Sequence, residues 1–226
     1  MKHTTDRALP SPNHGPAICE PAVTQTREWE TAYRGTRRSL STRRSRISLF
    51  ELNTEESILD LGCGDGLDLH VFVELGYTRV YGLDTSLQLL AYAEDLEVIQ
   101  ADIYAMPIAG DSLDVVFVNG VLHHLADVEP AILEIRRVLS NGGVFCLIEP
   151  TSSPLRWLAN KLTLSPFARF SRFLTLRKQM LEEELPCQEK WLATERLFPG
   201  LLEHLGFQIV FRRRSPFSVF IKARAT

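Results

Sequence analysis

Three glycines spaced two residues apart follow a short apolar run and an acidic residue. Asp60 lies within the run, which ends at Leu61, and Gly62, Gly64 and Gly66 follow. Glycine lets a chain turn sharply at the end of a strand and approach a ligand closely, and the free N–H groups of a following helix bind an anionic group. Leu67 stands where the dinucleotide fingerprint has its last glycine. The spacing therefore predicts a ligand-binding loop that is not of the dinucleotide type.

Two further acidic residues follow predicted strands. Asp84 comes about 20 residues after the glycine loop, the spacing at which a carboxylate meets a ribose diol. A carboxylate can accept hydrogen bonds from both hydroxyls at once. Asp102 stands beside the apolar Ile103, a pair that suits the amino group and the ring face of adenine. Together these residues predict a site for an adenosine-containing ligand.

These side chains need a sheet that brings several strand ends to one edge. From residue 57 onward short apolar runs alternate with amphipathic stretches, which is typical of a parallel sheet with crossover helices. Strands are predicted at 57–61, 79–83, 96–100, 113–119, 144–149, 207–212 and 217–222, and helices at 127–139 and 194–205. The short connection between the last two strands makes them antiparallel. We expect an α/β fold with a mostly parallel seven-stranded sheet, an antiparallel C-terminal hairpin and helices on both faces.

The organisation along the chain predicts one domain with an arm and an insertion. Residues 1–26 are rich in Pro, Ser, Thr and Asn and lack apolar periodicity, so we expect a disordered or loosely docked arm. Residues 27–226 are long enough for a single domain. The stretch 151–190 after the fifth strand is too long for an ordinary loop, and we expect it to form a helical lid.

The motif residues together resemble the class I S-adenosylmethionine-dependent methyltransferases, which have a Rossmann-like sheet. Residues 111–116 and 137–143 narrow the resemblance to the branch of the ubiquinone/menaquinone methyltransferases, also called methyltransferase type 11. The resemblance covers residues 57–150 strongly and the C-terminal strands more loosely. It implies that the chain is an enzyme and that S-adenosylmethionine is its cofactor.

The resemblance also assigns roles within the cofactor site. Asp60 and Gly62 would bind the methionine end, Asp84 the ribose, and Asp102 with Ile103 the adenine. Asn119 and Gly120 would lie beneath the sulfonium. The full predicted cofactor-binding set is Asp60, Gly62, Cys63, Gly64, Gly66, Asp84, Thr85, Asp102, Ile103, Asn119 and Gly120.

His123 and His124 follow the fourth strand, near the expected point of methyl transfer, and are the predicted catalytic residues. An imidazole there could remove a proton from a hydroxyl or an activated carbon. In the alternative, which we favour for either residue, the histidine packs and forms hydrogen bonds at the start of the next helix. Many relatives that methylate exocyclic or amide nitrogens have an Asn/Asp-Pro-Pro-aromatic loop at this point, and its absence argues against base N-methylation. We expect O-, C- or N-methylation of a small, amphipathic or anionic acceptor.

The first thirty residues of the insertion, 151–180, interleave basic and bulky apolar residues and contain no Asp or Glu. This pattern suits a lid over an amphipathic acceptor, or an interfacial helix drawn to anionic lipid. A helical cap with an apolar core face and a solvated basic face fits the pattern equally well.

A cluster of arginines supports a rival hypothesis, RNA methylation, because phosphate neutralisation needs a high density of positive charge. The cluster consists of Arg34, Arg37, Arg38, Arg43, Arg44 and Arg46. No RNA-binding module accompanies it, so we expect no nucleic-acid partner and place the cluster on an N-terminal helix, either near the acceptor entrance or on a solvated face. A third hypothesis is a non-catalytic protein that binds the cofactor.

The composition sets outer limits on function. A net charge of −3 gives no global reason to bind polyanions. The four cysteines lack the paired spacing of a zinc site, so no metal is expected. Residues 1–22 lack the apolar core of a signal peptide, and no window approaches the roughly 20 apolar residues of a membrane span. We expect a cytoplasmic protein, with peripheral membrane contact through 151–180 as an alternative, and the oligomeric state stays open.

Overall fold

The computed structural model describes residues 37–170 and 172–226. The strands are β1 (Ile58–Leu61), β2 (Val80–Asp84), β3 (Val98–Gln100), β4 (Leu113–Asn119), β5 (Leu139–Pro150), β6 (Phe207–Arg214) and β7 (Ser218–Ala225). The α-helices are α1 (Arg37–Ile47), α2 (Leu67–Glu74), α3 (Leu87–Leu90), α4 (Glu129–Val138), α5 (Pro154–Leu164), α6 (Arg172–Thr194) and α7 (Phe198–His204). Short 3₁₀ helices lie at Ser48–Phe50, Leu122–His124 and Pro166–Phe170. The predicted arm of residues 1–26 falls outside the described residues.

The strands form one sheet in the order β3-β2-β1-β4-β5-β7-β6. Strands β1 to β5 are parallel to one another, and β7 pairs antiparallel with both β5 and β6. The predicted fold class is confirmed, including the antiparallel C-terminal pair. The strand order reverses between β1 and β4, so the connections that leave their carboxyl ends run in opposite directions along the sheet. The crevice between these connections is where ligands bind in open α/β sheets.

The core lies on both faces of the sheet, and β4 shows why. Val116 and Val118 pack in one cluster with Ile132 and Ile135 of α4. Val115 and Phe117, which point to the opposite face, pack in a second cluster with Ile47 of α1 and Phe72 of α2. Side chains of a strand point alternately to opposite faces, so an unbroken apolar run fits only a strand covered on both sides.

Several boundaries differ from the sequence prediction, and those of β5 and of the helix predicted at 194–205 change the structure most. β5 begins at Leu139 rather than at residue 144, because Leu139 pairs with Leu113 before the register shifts. Gly142, with φ of 78°, lies in this irregular stretch. The stretch 194–205 is not one helix. The long helix α6 ends at Thr194 and α7 begins at Phe198, with a turn between them.

Candidate active site

The glycine loop, residues 62–66, leaves β1 in a conformation that only glycine adopts easily. Gly62, Gly64 and Gly66 have φ of 76°, 54° and 80°, the left-handed region that disfavours other residues. A Cβ on Gly62 would lie 2.4 Å from Cγ2 of Val121. The loop therefore approaches the chain after β4 so closely that this position admits no side chain.

Asp84 joins the glycine loop to the end of β2. Its Oδ2 accepts a hydrogen bond from the Gly64 N–H at 2.9 Å, and its Oδ1 accepts one from the Ser86 N–H at 2.8 Å. Each carboxylate oxygen has a further lone pair. The carboxylate is thus fixed in orientation by the backbone and still able to accept hydrogen bonds from two hydroxyls of a ligand.

The end of β3 lies beside Asp84. Gln100 pairs with Asp84 across the strands, and its Nε2 donates to the carbonyl oxygen of Thr85 at 2.9 Å. Asp102 follows and accepts a hydrogen bond from the Tyr104 N–H at 3.0 Å, while Ile103 is buried. An acidic and an apolar side chain thus follow one another next to the ribose-type carboxylate.

Asp60 is a buried carboxyl group without a complete set of partners. Only 2% of the residue is exposed, and its Oδ2 has no hydrogen-bond partner. Burial and the nearby charge of Asp68 raise its pKa well above the ordinary value. A buried, unpartnered carboxyl at the end of a strand favours a site for a cationic group.

Asp68, in the first turn of α2, has the same incomplete pairing. Its Oδ2 accepts from Asn119 Nδ2 at 2.8 Å and forms an ion pair with Nη1 of Arg43 at 2.7 Å. Its buried Oδ1 has no partner. The charge of Asp68 acts on the pKa of Asp60, so the two carboxyl groups lie near each other. Two buried carboxyl oxygens without a partner therefore belong to residues that flank the glycine loop.

Glu149, at the end of β5, organises the chain that follows β4. Its Oε1 accepts hydrogen bonds from the N–H groups of Val121 at 2.9 Å and Leu122 at 2.7 Å. Its Oε2 lies 2.8 Å from Nδ1 of His123. Only 1% of Glu149 is exposed. The carboxylate thus fixes both the 3₁₀ turn Leu122–His124 and the orientation of one imidazole.

The pKa values of the two neighbouring histidines are shifted in opposite directions. Burial lowers the pKa of His123, but the charge and hydrogen bond of Glu149 raise it further, so that it lies above the ordinary value. Burial lowers the pKa of His124 to about 3, and His123 adds to this effect. The ring centroids are 4.0 Å apart, and Nδ1 of His124 has no partner. His124 is therefore much harder to protonate than His123.

The region after β5 covers the histidine turn. Nε1 of Trp191 on α6 donates to the carbonyl oxygen of Pro150 at 2.8 Å. Glu184 on α6 and Arg156 on α5 are near enough to act on the pKa of His123. The buried Glu195 accepts from Ser152 Oγ at 2.7 Å and pairs with Arg214 at 2.6 Å. These contacts attach both ends of the insertion to the sheet.

Comparison with known proteins agrees with this geometry. Residues 59–147 match the model of a family described as Methyltransferase domain. This segment is thus similar to a methyltransferase domain, and we refer to it by that name. The predicted resemblance to the type 11 branch is confirmed, and S-adenosylmethionine is the cofactor of that family. The matched segment runs from β1 to β5, the part of the sheet that supplies the glycine loop, Asp84 and the histidine turn.

Two curated relatives and one solved structure illustrate the likeness. A malonyl-[acyl-carrier protein] O-methyltransferase of Hamiltonella defensa is 31% identical over 64% of this chain and 58% of that protein. A trans-aconitate 2-methyltransferase of an Azoarcus species is 32% identical over 47% of this chain and 44% of that protein. The chain thus spans about half the length of these relatives, at 58% and 44%. A crystal structure of a SAM-dependent methyltransferase from Aquifex aeolicus superposes with a TM-score of 0.56 at 16% identity, covering 80% of this chain and 88% of that one.

The methyltransferase domain brings the predicted cofactor residues to one edge of the sheet. Asp60 lies in β1, and Cys63 and the glycines follow that strand. Asp84 ends β2 and Thr85 comes next, Asp102 and Ile103 follow β3, and Asn119 ends β4 just before Gly120. Gly120 has φ of 74°, and its N–H donates to Ile148. The two histidines lie in the next turn. Their roles toward a ligand remain predictions.

Sequence reasoning missed three residues of the candidate site: Asp68, Arg43 and Glu149. An acidic residue in the first turn of the helix after the glycine loop was a usable signal for Asp68. Glu149 was visible as a charge at the end of an otherwise apolar run. Arg43 had no local signal, since it reaches Asp68 from α1.

The described part of the arginine cluster lies on helix α1. Arg43 pairs with Asp68, and Arg44 pairs with Glu74 at 2.6 Å. These two members thus form ion pairs with carboxylates of α2. Arg34 falls outside the described residues, and the side chains of Arg37 and Arg38 are likewise not described.

Two further properties concern only the part of the chain that the structure describes. Within it, no group of three or more His, Cys, Asp or Glu side chains is arranged to bind a metal ion. No helix in residues 37–170 or 172–226 is both long and apolar enough to span a membrane.

Proposed function

We propose that this chain transfers the methyl group of S-adenosylmethionine to a small, anionic or amphipathic acceptor. The observation that carries the proposal is the pair of orphaned buried oxygens, Asp60 Oδ2 and Asp68 Oδ1, beside a glycine loop. The ammonium of the donor's methionine part would neutralise these carboxyls and supply the missing hydrogen bonds. The residues present therefore fit the donor.

The remaining contacts follow from the strand ends. Asp84 is oriented by two backbone N–H groups and would accept hydrogen bonds from the ribose hydroxyls. Asp102 and Ile103 would bind the amino group and the ring face of adenine. Asn119, whose amide is fixed by Asp68, and Gly120 would lie beneath the sulfonium. Each strand end thus has a distinct part of one ligand to bind.

The donor supplies an electrophilic methyl group on a sulfonium, so the protein has to align the acceptor and exclude water. The acceptor's lone pair forms the new bond to the methyl carbon, and the electrons of the broken carbon–sulfur bond stay on sulfur. An acceptor that is already anionic needs no base. One that attacks through a hydroxyl or an acidic carbon must also lose a proton.

His123 is the better candidate to take that proton. Its Nδ1 lies against Glu149, which leaves Nε2 as the acceptor nitrogen of the neutral ring. Glu149 would then stabilise the imidazolium that forms. A pKa of about 3 makes His124 a weak base. We therefore assign the base role to His123 and a packing role to His124.

Two observations support an anionic acceptor. The insertion is basic over residues 151–180. The names of two relatives contain acidic acceptors, trans-aconitate and a malonyl group on a carrier protein. An amphipathic acceptor would also be consistent with peripheral contact of 151–180 with lipid.

The test uses labelled S-adenosylmethionine with separate lipid, aqueous-metabolite and RNA extracts. We expect label in a lipid or metabolite product, and a large loss with His123→Gln but not with His124→Gln if the product is an ether or a C-methyl compound. Label in RNA would support the RNA alternative. Tight donor binding with no transfer to any pool would contradict catalysis and support a donor-binding protein.

A further inference from the structure

Helix α5 (Pro154–Leu164) has its apolar side chains on the outside. Leu155, Trp157, Leu158 and Leu162 are between 47% and 61% exposed. At 100° per residue these positions, together with Lys161, fall within about half of the helix circumference. We call these five residues the outer face of α5. A surface helix normally shows the reverse arrangement, with its polar side toward solvent.

The inner side of α5 is polar. Thr163 is buried, and Arg156 and Asn160 are half-buried. The Arg156 guanidinium donates to the carbonyl oxygens of Thr151, at 2.9 Å, and Phe217. These hydrogen bonds fix the helix with its polar side inward. Rotating the helix to bury the leucines would break them, so the outward direction of the apolar side is set by the fold.

The surface next to the outer face is also apolar and positively charged. Phe170, in the following 3₁₀ helix, is 74% exposed. The Arg169 guanidinium lies 4.9 Å from the centroid of its ring, and the Lys161 ammonium lies 4.2 Å from the centroid of Trp157. Residues 151–180 contain six basic residues and no acidic one. Two exposed aromatic rings of this surface thus lie beside cations.

We propose that the outer face of α5, with Arg169 and Phe170, docks on the surface of an anionic phospholipid bilayer. Aliphatic and indole groups enter the boundary between head groups and acyl chains, while lysine and arginine stay with the phosphates. A second copy of this chain fits less well, because a two-fold contact would bring the same cationic surfaces together. The proposal goes beyond methyl transfer and does not depend on donor binding.

The experiment is flotation of the full chain with vesicles of phosphatidylcholine, with or without about one third phosphatidylglycerol. We expect binding to the anionic vesicles at about 0.05 M salt, weaker binding at about 0.5 M salt, and little binding to neutral vesicles. The double variant Leu158→Ser/Leu162→Ser should lower the partition coefficient about tenfold or more. Lys161→Gln should lower it on anionic vesicles alone.

Matched controls separate this surface from general effects. Leu133→Ser removes a leucine of α4 that is as exposed as Leu158, at 50% against 47%, and Arg213→Gln removes an exposed cation on β6. Both controls should bind vesicles as the parent chain does. Cooperative thermal unfolding, followed by circular dichroism, establishes that each variant is folded.

Three results would overturn the proposal. The first is no flotation with anionic vesicles. The second is an equal loss of binding in the control variants. The third is self-association without lipid that Leu158→Ser/Leu162→Ser abolishes, because the outer face would then be covered by a second copy.

Discussion

The two sides of the candidate active site are built in different ways. On the donor side, the carboxyl ends of β1, β2 and β3 present carboxylates with unused hydrogen-bonding capacity, and two buried oxygens have no partner. On the acceptor side, the Glu149 carboxylate already contacts two backbone N–H groups and His123. The donor side therefore needs a ligand to complete it, whereas the acceptor turn is held in place by the protein itself.

This difference predicts which substitutions damage the fold and which damage ligand binding. Residues of the acceptor turn should matter most for stability, because their loss leaves buried groups unpaired. Residues of the donor side should matter most for affinity, because their partners belong to the ligand.

The largest effect is expected for Glu149→Ala. It leaves the N–H groups of Val121 and Leu122 and the His123 ring without their acceptor, which should lower the free energy of unfolding by about 3–5 kcal/mol. Urea denaturation of the ligand-free chain measures this. Glu149→Gln retains a carbonyl acceptor and serves as the control, with a loss of about half that size or less. Equal stability of Glu149→Ala and the parent chain would refute the structural role.

Gly62→Ala should lower both the stability of the fold and the affinity for the donor. The new Cβ would lie 2.4 Å from Val121 at a residue with φ of 76°, so we expect about 3 kcal/mol of lost stability and weaker donor binding. Gly76→Ala is the matched control, since Gly76 has φ of 92° and open space around the new Cβ. Its cost should be the backbone strain alone, about 1–2 kcal/mol. Equal costs would mean that the approach to Val121 is unimportant.

Asp84→Ala should weaken donor binding by about 1–3 kcal/mol, the usual scale for hydrogen bonds to a charged group. Isothermal titration calorimetry with S-adenosylhomocysteine measures this change. Glu97→Ala, an exposed change just before β3, is the control and should leave affinity unchanged. Unaltered affinity in Asp84→Ala would mean that the ribose binds elsewhere.

Replacing Asp60 should have a smaller effect, which appears in the pH dependence of the free energy of unfolding of the ligand-free chain. Its folded-state pKa is raised by burial and by Asp68, so the unfolded chain releases this proton at a lower pH than the folded chain. Stability should therefore fall as the pH rises from the ordinary aspartate value toward the raised one. Asp60→Asn should remove this part of the slope, a difference of about 1 kcal/mol or more. Parallel stability curves for the two proteins would contradict it.

The difference between the donor side and the acceptor turn also explains which parts of the site the sequence could predict. The glycine loop, Asp84 and Asp102 are local signals, each at the end of an apolar run, and the parallel topology brings them together. The sheet follows from such runs, although the start of β5 at Leu139 depends on pairing with Leu113. Glu149 with His123, and Arg43 with Asp68, join residues 26 and 25 positions apart. No sequence pattern specifies such pairs.

The insertion shows a second reason for incomplete prediction. Its mixture of basic and apolar residues was compatible with a lid, an interfacial helix or a solvated cap. The direction of the α5 faces depends on hydrogen bonds from Arg156 to Thr151 and to Phe217, and Phe217 lies 61 residues further along the chain. Periodicity reveals that a helix has two faces, but tertiary contacts decide which one is buried.

The most direct test of the central claim compares two ligands by calorimetry. S-adenosylhomocysteine has the amino-acid part that Asp60 and Asp68 would bind, whereas 5′-methylthioadenosine lacks it. We predict that the parent chain binds S-adenosylhomocysteine about tenfold or more tightly, and that Asp60→Asn lowers its affinity while leaving that of methylthioadenosine nearly unchanged. Equal binding of both ligands by the parent chain, or no heat from either, would contradict the assignment of the orphaned carboxylates to the donor.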